Sequence, residues 1–266
     1  LLHGWGGDET ETWGQLPGYL DEALRQRDMY VRTYSYPSGI IGDIPAIDQI
    51  VQNLDEGLNQ HCNDAHEYIF VAHSMGGLVA KEYVLSYLRR GQSDKLKVSQ
   101  VIFIATPHTG NHIARLADLV VGIPKAQIRA VRGLDEYFLR TQVRDWQDRV
   151  AAPRSDIPTS NKKSILHTSI YATNDRVVTS DIGTDRISDA VPVFQDEFNR
   201  PYDHTSLVKP QSFNDPVLKT IINRIKGRNG GEDRLSSNEL EKVSRANRQF
   251  ESDEYSDCAE TLKPLV

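Results

Sequence analysis

The chain has 266 residues, with 31 Lys and Arg against 37 Asp and Glu and a formal net charge of −6. That balance argues against nucleic acid as a partner, and with a mean hydropathy of −0.50 and no long apolar run, no segment reads as a membrane-spanning helix. Cys62 and Cys258 are too far apart to form a metal motif or a disulfide framework, which predicts a reducing, cytoplasmic setting. His61 and His66 lack acidic or histidine partners at helical ligand spacing, so no metal is expected.

Leu1-Leu2 is an apolar stub that breaks into His3-Gly4-Trp5-Gly6-Gly7-Asp8. A phosphate-binding loop would need Gly-Lys-Ser/Thr after its glycines, whereas here Asp8-Glu9-Thr10 follows, and its carboxylates would repel phosphate. Met29 to Tyr36 reads as a strand, and Ile44 to Leu58 as an amphipathic helix.

Tyr68-Ile69-Phe70-Val71-Ala72 is a run of β-formers ending at His73-Ser74-Met75-Gly76, and Leu78, Val79, Tyr83 and Leu88 follow at helical spacing. A strand running straight into a helix needs a sharp turn with small neighbours, here Ala72 and Gly76, and such a turn exposes the Ser74 hydroxyl above a helix N-terminus. A helix N-cap is the other role open to Ser74.

Val98 to Ala105 reads as the next strand, followed by Thr106-Pro107-His108. Residues 109–163 form a helical insertion, expected as a lid. Ile113, Leu116, Ala117, Val120 and Val121 make one apolar stripe, and Ile128, Val131, Leu134, Phe138 and Leu139 a second. These stripes either cover the serine or pack on the body. Arg115, Arg129, Arg132, Arg140, Arg144 and Arg149 make the insertion basic, fitting either peripheral contact with an anionic membrane or a solvated face.

Ser164 to Ala172 reads as a strand, with Thr173-Asn174-Asp175 as the turn after it. Ala190 to Phe194 is a short β-like stretch, and a polar loop then carries Asp203-His204-Thr205-Ser206. Asp175 alone fits an Asx turn, and His204 alone a loop histidine bonded to a carbonyl. Strands alternating with helices predict an α/β fold, a doubly wound, mainly parallel sheet with its site at the C-terminal strand ends.

His3-Gly4-Trp5-Gly6-Gly7, Thr12-Trp13, Val71 to Val79, Ala105-Thr106-Pro107-His108-Thr109-Gly110 and Asp203 to Pro210 together resemble the serine-esterase and lipase branch of the α/β-hydrolase superfamily over residues 1–227. More narrowly, they resemble serine-active-site-containing lipase-like proteins and their GPI-inositol-deacylase-like relatives. The family elbow is Gly-x-Ser-x-Gly, and Ala72 replaces its first glycine.

The resemblance implies a nucleophile, Ser74, with Asp175 and His204 following in the family's Ser, Asp, His order; His204 is the only histidine after Asp175. It implies Trp5 and Met75 as oxyanion donors and hydrolysis of an ester or lipid substrate with no metal or organic cofactor. A non-catalytic recognition module and an acyltransferase are the alternatives. That fold has further strands ahead of its oxyanion loop, and no methionine precedes Leu1, so the chain reads as a fragment or as a variant shortened upstream.

Residues 228–236 read as a polar, glycine-rich linker. Residues 237–266 resemble one helical hairpin of a tetratricopeptide array, which implies a protein partner and a chain continuing past Val266. A helix docked on the hydrolase or a disordered tail also fits this stretch.

Overall fold

The computed structural model describes residues 1–4, 7–8, 10–37, 46–108, 136–175, 178 and 189–227. The chain divides into two compact units, Leu1–Ile225 and Lys226–Val266. Beyond residue 227 the second unit, with the expected linker and helical hairpin, lies outside the described residues.

Among the described residues the main helices and strands are α1 (Leu16–Leu24), α2 (Ile47–His61), β1 (Tyr68–His73), α3 (Met75–Arg89), β2 (Val98–Ile104), α4 (Glu136–Trp146), β3 (Leu166–Ala172), β4 (Asp189–Val193) and α5 (Pro216–Lys226). The four strands lie in the order β1-β2-β3-β4, and each neighbouring pair is parallel. Parallel neighbours need crossovers, which is why the strand and helix patterns alternate along the sequence.

Side chains on a strand alternate between faces, and each face of this sheet has its own core. Phe70, Val101 and Phe103 pack with Leu54 of α2, Leu78 and Leu85 of α3, and Leu139 and Trp146 of α4. Val71, Ile102, Ile104 and Ile170 pack with Leu16 and Leu20 of α1 and with Leu218 and Ile221 of α5. Each such fully buried aliphatic side chain contributes about 2 kcal/mol by leaving water. Asp215 caps α5, accepting the Val217 amide at 2.9 Å and the Leu218 amide at 3.1 Å, with Pro216 at the first helical position.

Two sequence expectations need correction. Met29 to Tyr36 does not form a strand: Leu2 lies between Tyr34 and Ala72, making one parallel bridge to each. The Tyr34 amide donates to the Leu1 carbonyl at 3.0 Å, and beyond Leu2 the chain leaves the strand direction for its glycine-rich loop, so the pairing does not run on past this bridge on that side. β2 stops at Ile104 because Ala105 takes φ +47°, outside the strand region.

The insertion is described in part. Residues 109–135, with the whole first stripe and Ile128, Val131 and Leu134, lie outside the described residues. The described remainder packs on the body: Leu139, Trp146 and Val150 are buried in the α2–α3 core, and Phe138 packs against it. The Gln142 amide donates to the Leu78 carbonyl at 3.1 Å, and Arg89 Nε reaches Asp145 at 2.7 Å. Arg144 and Arg149 face Asp148 and Asp145 four residues away, so acid and base alternate along this described part of the insertion. Among the described residues, no helix is long and apolar enough to cross a membrane.

Candidate active site

The turn between β1 and α3 is built by close backbone approach. A Cβ at Gly76 would lie 2.3 Å from the Leu2 carbonyl oxygen and 2.5 Å from that of His3, and one at Gly77 would lie 2.1 Å from Thr106 Oγ1. On the other side, a Cβ at Gly4 would stand 2.7 Å from Ser74 Cβ. Gly76→Ala therefore drives a methyl into two immovable carbonyls. It should destabilise the domain by about 3 kcal/mol in urea unfolding, and a stability equal to the parent's would show that the turn has room to relax.

Ser74 sits at the centre of this turn with φ +51° and ψ −125°, a backbone conformation that side-chain-bearing residues rarely adopt. It occupies the N-cap position of α3, yet its side chain makes no capping hydrogen bond. Its Oγ lies 2.9 Å from His204 Nε2 instead. Burial is nearly complete, with Ser74 only 2 % exposed and His204 6 %.

His204 Nδ1 lies 2.9 Å from Asp175 Oδ2. With a carboxylate on Nδ1, the proton resides there, and Nε2 accepts from the serine hydroxyl. Asp175 is buried just past the end of β3; its amide donates to Ala172 at 3.1 Å, and its Oδ1 accepts the Val178 amide at 3.2 Å. The structure thus brings Ser74, His204 and Asp175 into one hydrogen-bonded chain at the C-terminal edge of the sheet.

Asp203, next to His204 in sequence, faces elsewhere. Its Oδ1 accepts the amides of Thr205 at 2.9 Å and Ser206 at 2.7 Å, starting the short 3₁₀ turn Ser206–Val208. Partial burial pushes its carboxyl upward, but hydrogen bonds from Ser206 and Thr205 outweigh that and hold it below the usual carboxylate range. Its folded value is depressed, so this contribution to stability is present above the unfolded carboxylate pKa. It is lost as pH falls through the lower value.

Of the expected oxyanion donors, Met75 supplies the first amide of α3, at the positive end of the helix beside Ser74. Trp5 lies outside the described residues. The start of the glycine-rich loop is held by His3: its Nδ1–H donates to the Gly4 carbonyl at 2.8 Å, and its Nε2 accepts the Tyr36 amide at 3.2 Å. The Tyr36 ring stacks on His3 at 4.2 Å, and its hydroxyl donates to the His3 carbonyl.

Sequence reasoning missed a buried polar relay beneath the turn. Lys81 Nζ lies 2.6 Å from His108 Nδ1, and His108 Nε2 lies 3.3 Å from Ser169 Oγ. The ammonium stands over the Phe103 and Trp146 rings at 5.4 and 6.0 Å. The signal lay in the spacing: Lys81 falls between Leu78 and Leu85 on the buried stripe of α3. Among the described residues, no group of three or more His, Cys, Asp or Glu side chains could hold a metal ion.

The Alpha/beta hydrolase family model matches residues 1–214. The chain belongs to this family. As an α/β-hydrolase family member, it carries the glycine-rich loop, the strand–turn–helix around Ser74 and both other residues of the chain inside the matched span. Among curated proteins, no sequence matches it.

Solved structures similar to this hydrolase-family chain include phospholipase PlaB from Legionella pneumophila. That match has 19 % identity and a TM-score of 0.48, covering 65 % of this chain and 36 % of that one, so the chain spans about a third of the phospholipase's length. Monoacylglycerol lipase from Paleococcus ferrophilus matches at 13 % identity and a TM-score of 0.48, over 84 % of this chain and 91 % of that one. Alpha/beta hydrolase domain-containing protein 10 from mouse matches at 14 % identity and a TM-score of 0.48, over 85 % and 87 %.

Proposed function

We propose that this protein is a serine hydrolase that cleaves carboxylic esters, with lipid or other long acyl esters as its substrate class. The observation carrying the proposal is the Ser74–His204–Asp175 hydrogen-bonded chain, with both links at 2.9 Å and the serine held at positive φ. A strained serine whose hydroxyl leaves its capping duty to meet a histidine has the geometry of an activated nucleophile.

In this reading Ser74 Oγ attacks the ester carbonyl carbon while His204 Nε2 takes the hydroxyl proton. Asp175 holds the imidazole in the tautomer that accepts at Nε2, and its charge stabilises the imidazolium that forms. The Met75 amide and the Trp5 amide bind the tetrahedral intermediate's oxyanion. The intermediate collapses by breaking the ester C–O bond, and His204 returns its proton to the departing alcohol. Water, deprotonated by His204, then attacks the acyl-Ser74 carbonyl and releases the acid. No step calls for a metal or an organic cofactor.

The apolar residues that the sequence spaces from Ile113 to Leu134, and the motif resemblance to lipase-like proteins, support the acyl-chain preference. Each buried methylene contributes about 0.8 kcal/mol, or about fourfold in kcat/KM. With nitrophenyl esters from acetate upward, kcat/KM should rise by about that factor per methylene until the pocket is full, and EDTA should leave the rate unchanged. A fluorophosphonate probe should label Ser74, read by peptide mapping. A steep fall after acetate would remove the lipid reading, whereas absence of labelling would remove the serine mechanism.

A further inference from the structure

His73, the residue immediately before Ser74, is a buried polar side chain that the mechanism above leaves unused. Its ring Nε2 lies 2.8 Å from the main-chain carbonyl oxygen of His204. A carbonyl can only accept, so the ring donates through Nε2–H. The His73 and His204 rings stand 5.0 Å apart, tilted at 45°, and Trp13 meets His73 edge-on at 6.3 Å.

The two ends of this bond are anchored very differently. On the His73 side the backbone belongs to the sheet: the His73 amide donates to Leu2 and the Ser74 amide to Ile104, each at 2.9 Å. On the His204 side the backbone is a connection between β4 and α5, shaped locally by the Asp203 turn. A bond from the first to the second sets the height of the loop above the nucleophile.

We infer that His73 is a positioning residue that fixes His204 against Ser74 through a hydrogen bond to the His204 carbonyl. The inference rests on the reading of Ser74 as nucleophile and His204 as its base. Burial, then the neighbouring His204, lowers the His73 pKa to about 3, so the ring stays neutral and adds no charge beside the imidazolium formed on His204 during turnover. Reach matters as well as neutrality. A displacement of about 1 Å between nucleophile and base costs about 100-fold in rate, which makes a rigid strut from the sheet valuable to an otherwise loop-borne base.

The test is a pair of substitutions of similar length, one keeping a donor and one lacking it, made in the full chain. The amide nitrogen of His73→Gln can occupy nearly the place of the ring Nε2, while His73→Met matches its length without an N–H. His73→Met should lose about 30- to 100-fold in kcat with KM changed less than about twofold, and the rate of fluorophosphonate labelling at Ser74 should fall in parallel. His73→Gln should recover kcat to within about fivefold of the parent. Circular dichroism and urea midpoints establish that both variants fold.

Equal kcat and labelling rates for folded Gln and Met variants would overturn the inference, since the donor would then be irrelevant. Loss of folding in both would also overturn it, by placing His73 in the architecture of the core. A parent protein that fails to label, or whose turnover survives Ser74→Ala, would instead overturn the underlying reading, and this inference with it.

Discussion

Replacing Ser74 by alanine should lower kcat for short nitrophenyl esters by about 10⁴- to 10⁶-fold while leaving the fold intact. The kinetic part follows from geometry. Ser74 Oγ is the hydroxyl at 2.9 Å from His204 Nε2, and without it the base has nothing to activate for acyl transfer. The structural part follows from what Ser74 does not do. Its side chain makes no capping hydrogen bond to α3, so helix stability does not depend on the hydroxyl. Alanine keeps the Cβ at φ +51°, so backbone strain is unchanged, and the net effect on unfolding free energy should stay near 1 kcal/mol. Steady-state kinetics beside urea unfolding give both numbers. A folded variant with normal turnover would end the serine mechanism.

Asp175→Asn should fold and lose about 10⁴ in kcat, because the proton on the wrong nitrogen turns His204 from an acceptor toward Ser74 into a donor. The carboxylate now accepts His204 Nδ1–H at 2.9 Å, and an amide presenting its NH₂ group there favours the proton on Nε2. Asp203→Asn is the matched control. Asp203 spends its Oδ1 on the amides of Thr205 and Ser206, and an asparagine carbonyl can still accept both. Its kcat should fall less than about tenfold, with the loss mainly in stability. The two variants, measured on the same ester, separate the assignments: the reverse order of severity would move the acid to Asp203.

What the sequence determined by itself is mostly local. The β1–turn–α3 unit was legible from Tyr68 to Leu88 because strand periodicity, small residues at the bend and helical periodicity all act within a few residues of one another. The strands around Val98, Leu166 and Ala190 were legible for the same reason, and their alternation with helices required the parallel sheet. The order of Ser74, Asp175 and His204 was readable only through family resemblance, since a serine, an aspartate and a histidine each have ordinary roles in loops.

What only the tertiary structure decided is who meets whom across the fold. Asp203 is covalently adjacent to His204 yet turns toward Thr205 and Ser206, while Asp175, 29 residues earlier, meets the imidazole because β3 ends beside the base loop. The bond from His73 to the His204 carbonyl spans 131 residues and has no periodic signature. Lys81 reads as a surface cation by type and is buried because its helix face turns toward Phe103 and Trp146. Hydrophobic patterning says which face of an element is buried, but it does not say which polar groups share that burial. Their pairing is settled by strand order, crossover geometry and the requirement that polar groups leaving water find partners.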